Sequence, residues 1–252
     1  MRYFLKLSFQ GAAYHGWQSQ PHDMSVQETI EKALAMVLRH NCPITGAGRT
    51  DAGVNAMTMF AHFDTQQPIA DTRLLVRSLN GILPRDIAIH DIQQVDDTAH
   101  ARFDATSRTY RYFAHTAKSP LLDNISWQCN PQLDFELMNE AAKHLMNYDD
   151  FTSFSKLHTD VKTNICHITQ AQWQRYNGIE SNVQQWVFII TADRFLRNMV
   201  RAIVGTLVEV GNHKISVEEF CHIIEKKDRC AAGTSMPAHA LYLWDVTYPY
   251  IK

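Results

Sequence analysis

No stretch of this sequence of 252 residues approaches the roughly 18 consecutive apolar residues of a membrane span. Its opening, MRYFLKLSFQG, lacks the long apolar segment of a secretory leader. A protein that stays in the cytoplasm, with no membrane partner, is therefore expected. Cysteine is scarce and scattered: Cys42, Cys129, Cys166, Cys221 and Cys230 are odd in number and contain no C-x-x-C pair. That pattern suggests neither a disulfide framework nor a zinc clip, and the thiols read as reduced and mostly structural. Thirteen histidines do not change this, because H-x-x-x-H and H-E-x-x-H spacings are missing. The neighbours Cys166-His167 and Cys221-His222 cannot easily face one ion, so no metal is expected. A general excess of positive charge is also lacking, since the formal net charge is -2. This argues against a nucleic-acid coat but leaves room for a local basic cleft. Glycine and proline are few, ten and eight, and 45% of the residues are apolar, which excludes a disordered or low-complexity chain.

What is present reads as a folded α+β protein. Residues 2–10 are rich in Tyr, Phe and Leu and predict a strand. Ser25-Val-Gln-Glu28 has the form of a capping box, and Val26, Ile30, Ala33, Leu34, Val37 and Leu38 repeat at helical spacing, predicting a helix over 25–39. A strand over 57–63, a helix over 71–83 and strands over 87–95 and 108–115 follow. The second half reads as a helix over 134–146, strands over 166–176 and 183–192, helices over 197–210 and 216–226, and a strand over 241–248. Strands and helices mix without regular βαβ alternation, so helices packed on a largely antiparallel sheet are expected. The segment 118–131, with Pro120, Asp123, Asn124 and Asn130, marks the best boundary, giving halves 1–117 and 118–252.

The most unusual local sequence is Gly46-Ala-Gly-Arg-Thr-Asp-Ala-Gly-Val54. It fits neither phosphate-loop template. A dinucleotide fingerprint needs a glycine where Asp51 stands, and a P-loop needs Lys then Ser or Thr where Val54-Asn55 stand. What remains is a carboxylate on a loop with glycines on both sides, able to turn sharply and admit a substrate. Asp51 could serve there as nucleophile or general base. It could also merely close an Asx-turn or cap a helix, the commoner fate of Asp beside Gly.

Gly48-Arg49-Thr50-Asp51-Ala52-Gly53-Val54 resembles the signature of the TruA-type pseudouridine synthases. The resemblance runs along essentially the whole chain. It includes Tyr14-His-Gly-Trp-Gln18, Ser25-Val-Gln-Glu28, Ala101-Arg-Phe-Asp-Ala105, Arg108-Thr-Tyr-Arg-Tyr112, the run from Phe195 to Gly205, and Pro237-Ala-His-Ala-Leu-Tyr-Leu243, all in order. The chain departs from the family at Asn55, where His is common, and at Thr58-Met59, near a usual Gly-Gln.

The resemblance implies a pseudouridine-synthase fold of two similar halves with the active-site cleft between them. It implies a cofactor-free isomerase that converts uridine to pseudouridine in the tRNA anticodon stem-loop, at family positions 38, 39 and 40, and that works as a homodimer. Asp51 becomes the catalytic carboxylate. Tyr110, on the strand face that also carries Arg108, Tyr112 and Ala114, becomes a stacking or proton-passing group; from pattern alone it is equally a core or surface aromatic. Arg201 aligns with the apolar helix positions Val204 and Val208 and needs a partner, which the resemblance supplies in Asp51; the alternative is a side chain snorkelling to solvent. Arg49 is implied at the displaced phosphate backbone, and Leu241 as an apolar wall of the uridine pocket. Arg102, Arg108, Arg111 and Arg197 complete the implied tRNA contacts. Two other functions are open on the residues: an RNA chaperone of the same fold, and a small-molecule hydrolase using Asp51, which would lack a paired His, metal or second carboxylate near the loop.

Overall fold

The computed structural model describes residues 1–21, 23–156 and 163–251. In chain order its regular elements are β1 (Arg2–Phe9), α1 (Val26–Leu38), β2 (Thr45–Gly46), β3 (Asn55–Asp64), α2 (Thr72–Ile82), β4 (Ile87–Val95), β5 (Ser107–His115), β6 (Trp127–Gln128), α3 (Phe135–His144), β7 (Ile168–Arg175), β8 (Gln185–Ala192), α4 (Met199–Gly211), α5 (Val217–Glu225) and β9 (Leu241–Thr247). The class is α+β, with mixed but mostly antiparallel strand pairing. Tertiary contacts divide the chain into two compact units, 1–106 with 243–252, and 107–242.

Among the described residues, four of the five α-helices, all but α4, start where the sequence supplies a side-chain cap. Ser25, Asp71, Asp134 and Ser216 each accept a hydrogen bond from the amide three residues on, satisfying a donor that has no partner within the helix. The reciprocal capping box closes at α5, where Ser216 and Glu219 bond both ways. It does not close at α1, contrary to the expectation for Ser25 and Glu28. Glu28 turns instead to Lys32, one helical turn on, at 2.5 Å.

In the first unit β1 lies between β3 and β4 and pairs antiparallel with both, so Leu5 stands opposite Ala61 on one side and Ile92 on the other. Strand β9 adds on the far side of β3, and the short β2 pairs with β3 through Thr45 and Gly46. Phe4, Leu5, Leu7, Phe63, Ile30 and Leu34 are buried to completion or nearly so. The edge strand β4 is closed by Asn80 of α2, whose amide both donates to the Ile89 carbonyl and accepts from the Ile89 amide, each at 2.8 Å. An edge would otherwise leave those groups open to another strand.

In the second unit β8 lies between β5 and β7, antiparallel to both, and β6 runs parallel to β5. The pleat sets Tyr110, Tyr112 and Ala114 on one face, opposite Ile190, Phe188 and Trp186. Phe135 of α3 stacks on Trp186 with ring centroids 3.9 Å apart and meets Trp173 edge-on. Asn139 clamps the edge strand β7 at Trp173 by the same paired bonds that Asn80 makes in the first unit. Helix α4 is buried on most of its circumference, the pattern of a central core helix.

Candidate active site

The loop between β2 and β3 places Asp51. A 3.1 Å bond from the Val54 amide to the Asp51 carbonyl closes a turn over residues 51–54. Gly53 takes the third position with φ 78°, as a type II turn requires. The Asp51 main chain thus closes the turn. The Asp51 side chain is partly exposed, and its neighbour Thr50 is buried, with a hydroxyl that has no hydrogen-bond partner among the described residues.

The Tyr14-His-Gly-Trp-Gln18 segment holds this loop from outside. Gly53 donates its amide to the Tyr14 carbonyl at 3.3 Å, and Trp17 donates to the Thr50 carbonyl at 3.4 Å. Arg49 donates from Nε to the Gln18 amide oxygen at 2.9 Å. Gly16 sits at φ 96°, and a Cβ there would lie 2.4 Å from the Thr50 carbonyl oxygen, so no other residue lets the two segments meet this closely. The clamp is tied in turn to the start of α1, since Val26 donates to the Gly16 carbonyl and Gln27 to the Trp17 carbonyl. Tyr14 is fixed by a 2.8 Å bond from its hydroxyl to Asp86; burial first, and that carboxylate second, push its pKa upward, so it remains a donor at any ordinary pH.

Asn55, one of the departures from the family pattern, has a structural task. Its side-chain oxygen accepts the buried Gly11 amide at 2.8 Å. Asn55→Ala should therefore cost about 1–3 kcal/mol, the penalty of stranding a buried donor. Urea unfolding reads this directly, and a midpoint equal to wild type would remove Asn55 from that role.

The second unit carries the remaining candidates. Tyr110 projects from β5 and meets Phe195 edge-on with centroids 5.1 Å apart. Arg108, on the same face, donates from Nη1 to the Asp193 carbonyl at 2.6 Å, whereas Arg111 alternates to the opposite face, where burial lowers its pKa. Arg201 is partly buried on α4 and donates from Nε to the Met236 carbonyl at 2.6 Å, while its own carbonyl accepts from the Met236 amide. It is therefore anchored within the unit through its Nε. Tyr112, beside Arg201, is fully buried; its hydroxyl has no hydrogen-bond partner among the described residues, and burial raises its pKa. Arg197 is exposed just ahead of α4, and Leu241 is buried at the start of β9. Arg102 and Asp51 lie in the first unit with Arg49.

The sequence reading singled out the loop but missed much of the shell that holds it. Gly11 and Asp86 are brought to it only by folding, and the bonds that Gly16 and Asn55 make there join segments that no spacing signal connects. Among the described residues no group of three or more His, Cys, Asp or Glu side chains could hold a metal ion. No helix there is long and apolar enough to cross a membrane.

Comparison with known proteins agrees with this arrangement of motifs. A family model described as tRNA pseudouridine synthase matches residues 7–104 and 141–249. The tRNA pseudouridine synthase A of Parabacteroides distasonis is 57% identical over 98% of this chain and 96% of its own length. That of Bacillus subtilis is 40% identical over 98% and 99% of the two chains, and that of Colwellia psychrerythraea 37% over 99% and 94%. With matches of this depth running nearly end to end, the chain belongs to the tRNA pseudouridine synthase family.

Proposed function

We propose that this protein isomerises uridine to pseudouridine in the anticodon stem-loop of tRNA, at positions 38, 39 and 40, as a cytoplasmic homodimer. The observation that carries the reading is the loop bearing Asp51, a carboxylate held on a turn whose backbone is bonded to the Tyr14–Trp17 segment. The reaction breaks the bond from the ribose C1′ to the uracil N1, turns the base, and joins C1′ to ring carbon 5, whose proton is released while the freed N1 takes up a proton. Substrate and product have the same composition, so no redox partner or donated group is required and no cofactor is part of the proposal.

Asp51 acts at the sugar and base as nucleophile or as the base that removes a ribose proton. Reaching it requires the uridine to leave its stack, at a cost of a few kcal/mol. Tyr110 stacks on the displaced base or passes a proton, Arg201 supplies the cation of the site, and Leu241 provides apolar wall. Arg49, Arg102, Arg108, Arg111 and Arg197 contact the phosphate backbone, which reconciles RNA binding with a formal net charge of -2.

The test is tritium release from tRNA labelled at carbon 5 of uridine, with mapping of the pseudouridines formed. Release from the anticodon arm supports the reading. Binding without release would point to an RNA chaperone, and neither binding nor release would sink the proposal. The same assay separates two roles for Tyr110. Tyr110→Phe should keep the roughly 1–3 kcal/mol that an aromatic face gives to a stacked base, and Tyr110→Ala should lose it. A Phe variant that binds normally but fails to turn over assigns the work to the hydroxyl; an Ala variant equal to wild type removes Tyr110 from the site.

A further inference from the structure

The turn after β4 is held from all sides. The His100 amide donates to Asp104 Oδ2 at 2.7 Å, and the Asp104 amide donates back to the His100 carbonyl. The Arg102 and Phe103 amides both reach His100 Nδ1, and the Ala101 amide reaches Nδ1 of the buried His62 at 3.1 Å. Tyr248 donates its hydroxyl to the Ala101 carbonyl, Tyr250 donates to Asp104 at 2.7 Å, and Arg2 donates to the Ala99 carbonyl at 2.8 Å. Burial pushes the His62 pKa down to about 4, which keeps that ring neutral and its Nδ1 available as an acceptor. Every backbone amide from His100 to Asp104 therefore has an acceptor.

The product of this scaffolding is an aromatic ring held out in water. Phe103 is 74% exposed, the highest value of any large apolar residue among those described. The His100 ring backs it at 4.3 Å, and the Arg102 guanidinium lies 5.6 Å from its centroid. The carboxylates nearby each have a partner of their own: Asp104 with His100 and Tyr250, Asp97 with the Arg2 amide, Asp96 with Thr98. One flat ring with a cation beside it and polar groups around it lacks the broad apolar area a protein partner would cover. It has the two elements that bind single-stranded nucleic acid, an aromatic face for a base and a cation for its phosphate. Because the turn is already ordered, little freedom is lost on binding.

We propose that Phe103 is a stacking platform for an unpaired base of the RNA substrate, with Arg102 at the adjoining phosphate. The inference rests on the functional reading above for the identity of the partner. It is tested by titrating wild type, Phe103→Ala, Phe103→Leu and Phe103→Tyr with unmodified tRNA, alongside thermal melting, sedimentation and tritium release. Phe103→Ala should weaken binding roughly 5- to 150-fold, the range spanned by base stacking on an aromatic side chain. Phe103→Tyr should bind as wild type, and Phe103→Leu, apolar but without a π face, should fall with Ala. Melting should be unchanged, since none of the hydrogen bonds that hold the turn uses the Phe103 side chain. The slope of log affinity against log salt should be unaltered in these variants and shallower by about one in Arg102→Ala. Unchanged affinity in Phe103→Ala, with wild type turning over tRNA, overturns this inference alone. A shift of Phe103→Ala from dimer to monomer would assign the ring to a second copy of the chain and equally overturn it. Failure of wild type to bind tRNA would overturn the functional reading and this one together.

Discussion

Asp51→Asn should abolish pseudouridine formation while leaving the protein folded and able to bind tRNA. The substitution is close to isosteric, and the turn that presents the side chain is closed through the Asp51 carbonyl, which asparagine keeps. What is lost is the capacity to attack carbon or to take a proton. A positioned acid or base contributes roughly 10²–10⁴-fold, so a loss of at least that size is expected in single-turnover tritium release, and a larger one if the carboxylate is the nucleophile. The melting temperature and tRNA affinity should stay near wild type. Turnover by the Asn variant within a few-fold of wild type would end the assignment of Asp51. A collapse of stability without a change in the chemistry of the folded fraction would return it to a turn-forming residue.

The second large effect is expected from a residue that touches no substrate. Gly16→Ala forces a side chain onto a backbone at φ 96° and directs its Cβ to 2.4 Å from the Thr50 carbonyl oxygen. Left-handed backbone of this kind costs a non-glycine residue about 1–3 kcal/mol. The steric conflict can be relieved only by moving the Thr50–Asp51 segment or the Tyr14–Trp17 segment that clamps it. A displacement of about 1 Å at a reacting group can cost on the order of 10²-fold in rate. The variant should thus show both a lower melting temperature and a fall in kcat of about that size. Gly48→Ala is the internal control, because nothing lies within 4 Å of a Cβ at that position; its stability should match wild type. If Gly16→Ala turns over normally, the clamp does not position Asp51.

Much of this protein is written locally. The periodicity of Val26, Ile30, Ala33 and Leu34 and the caps Ser25, Asp71, Asp134 and Ser216 set the helices to within a residue or two, because a cap and an amphipathic stripe act over one or two turns of chain. The alternation along β5 placed Tyr110 and Tyr112 on one face for the same reason. The ordered motifs, above all Gly48 to Val54, were enough to identify the family. Other features have no local cause. The two-residue strands β2 and β6 exist only because β3 and β5 lie alongside them, and no propensity marks so short a segment. Glu28 fits a capping box on paper, yet its carboxylate goes to Lys32. That Asn55 satisfies Gly11, that Gly16 must adopt a positive φ, and that Met236 accepts from Arg201 depend on segments distant in sequence arriving at one place. The sequence by itself determined the family and most of the helices and longer strands, because motifs, caps and periodicity are local. Only the tertiary structure decided what holds the Asp51 loop in its shape, because those contacts are made between backbones whose meeting no single stretch of chain encodes.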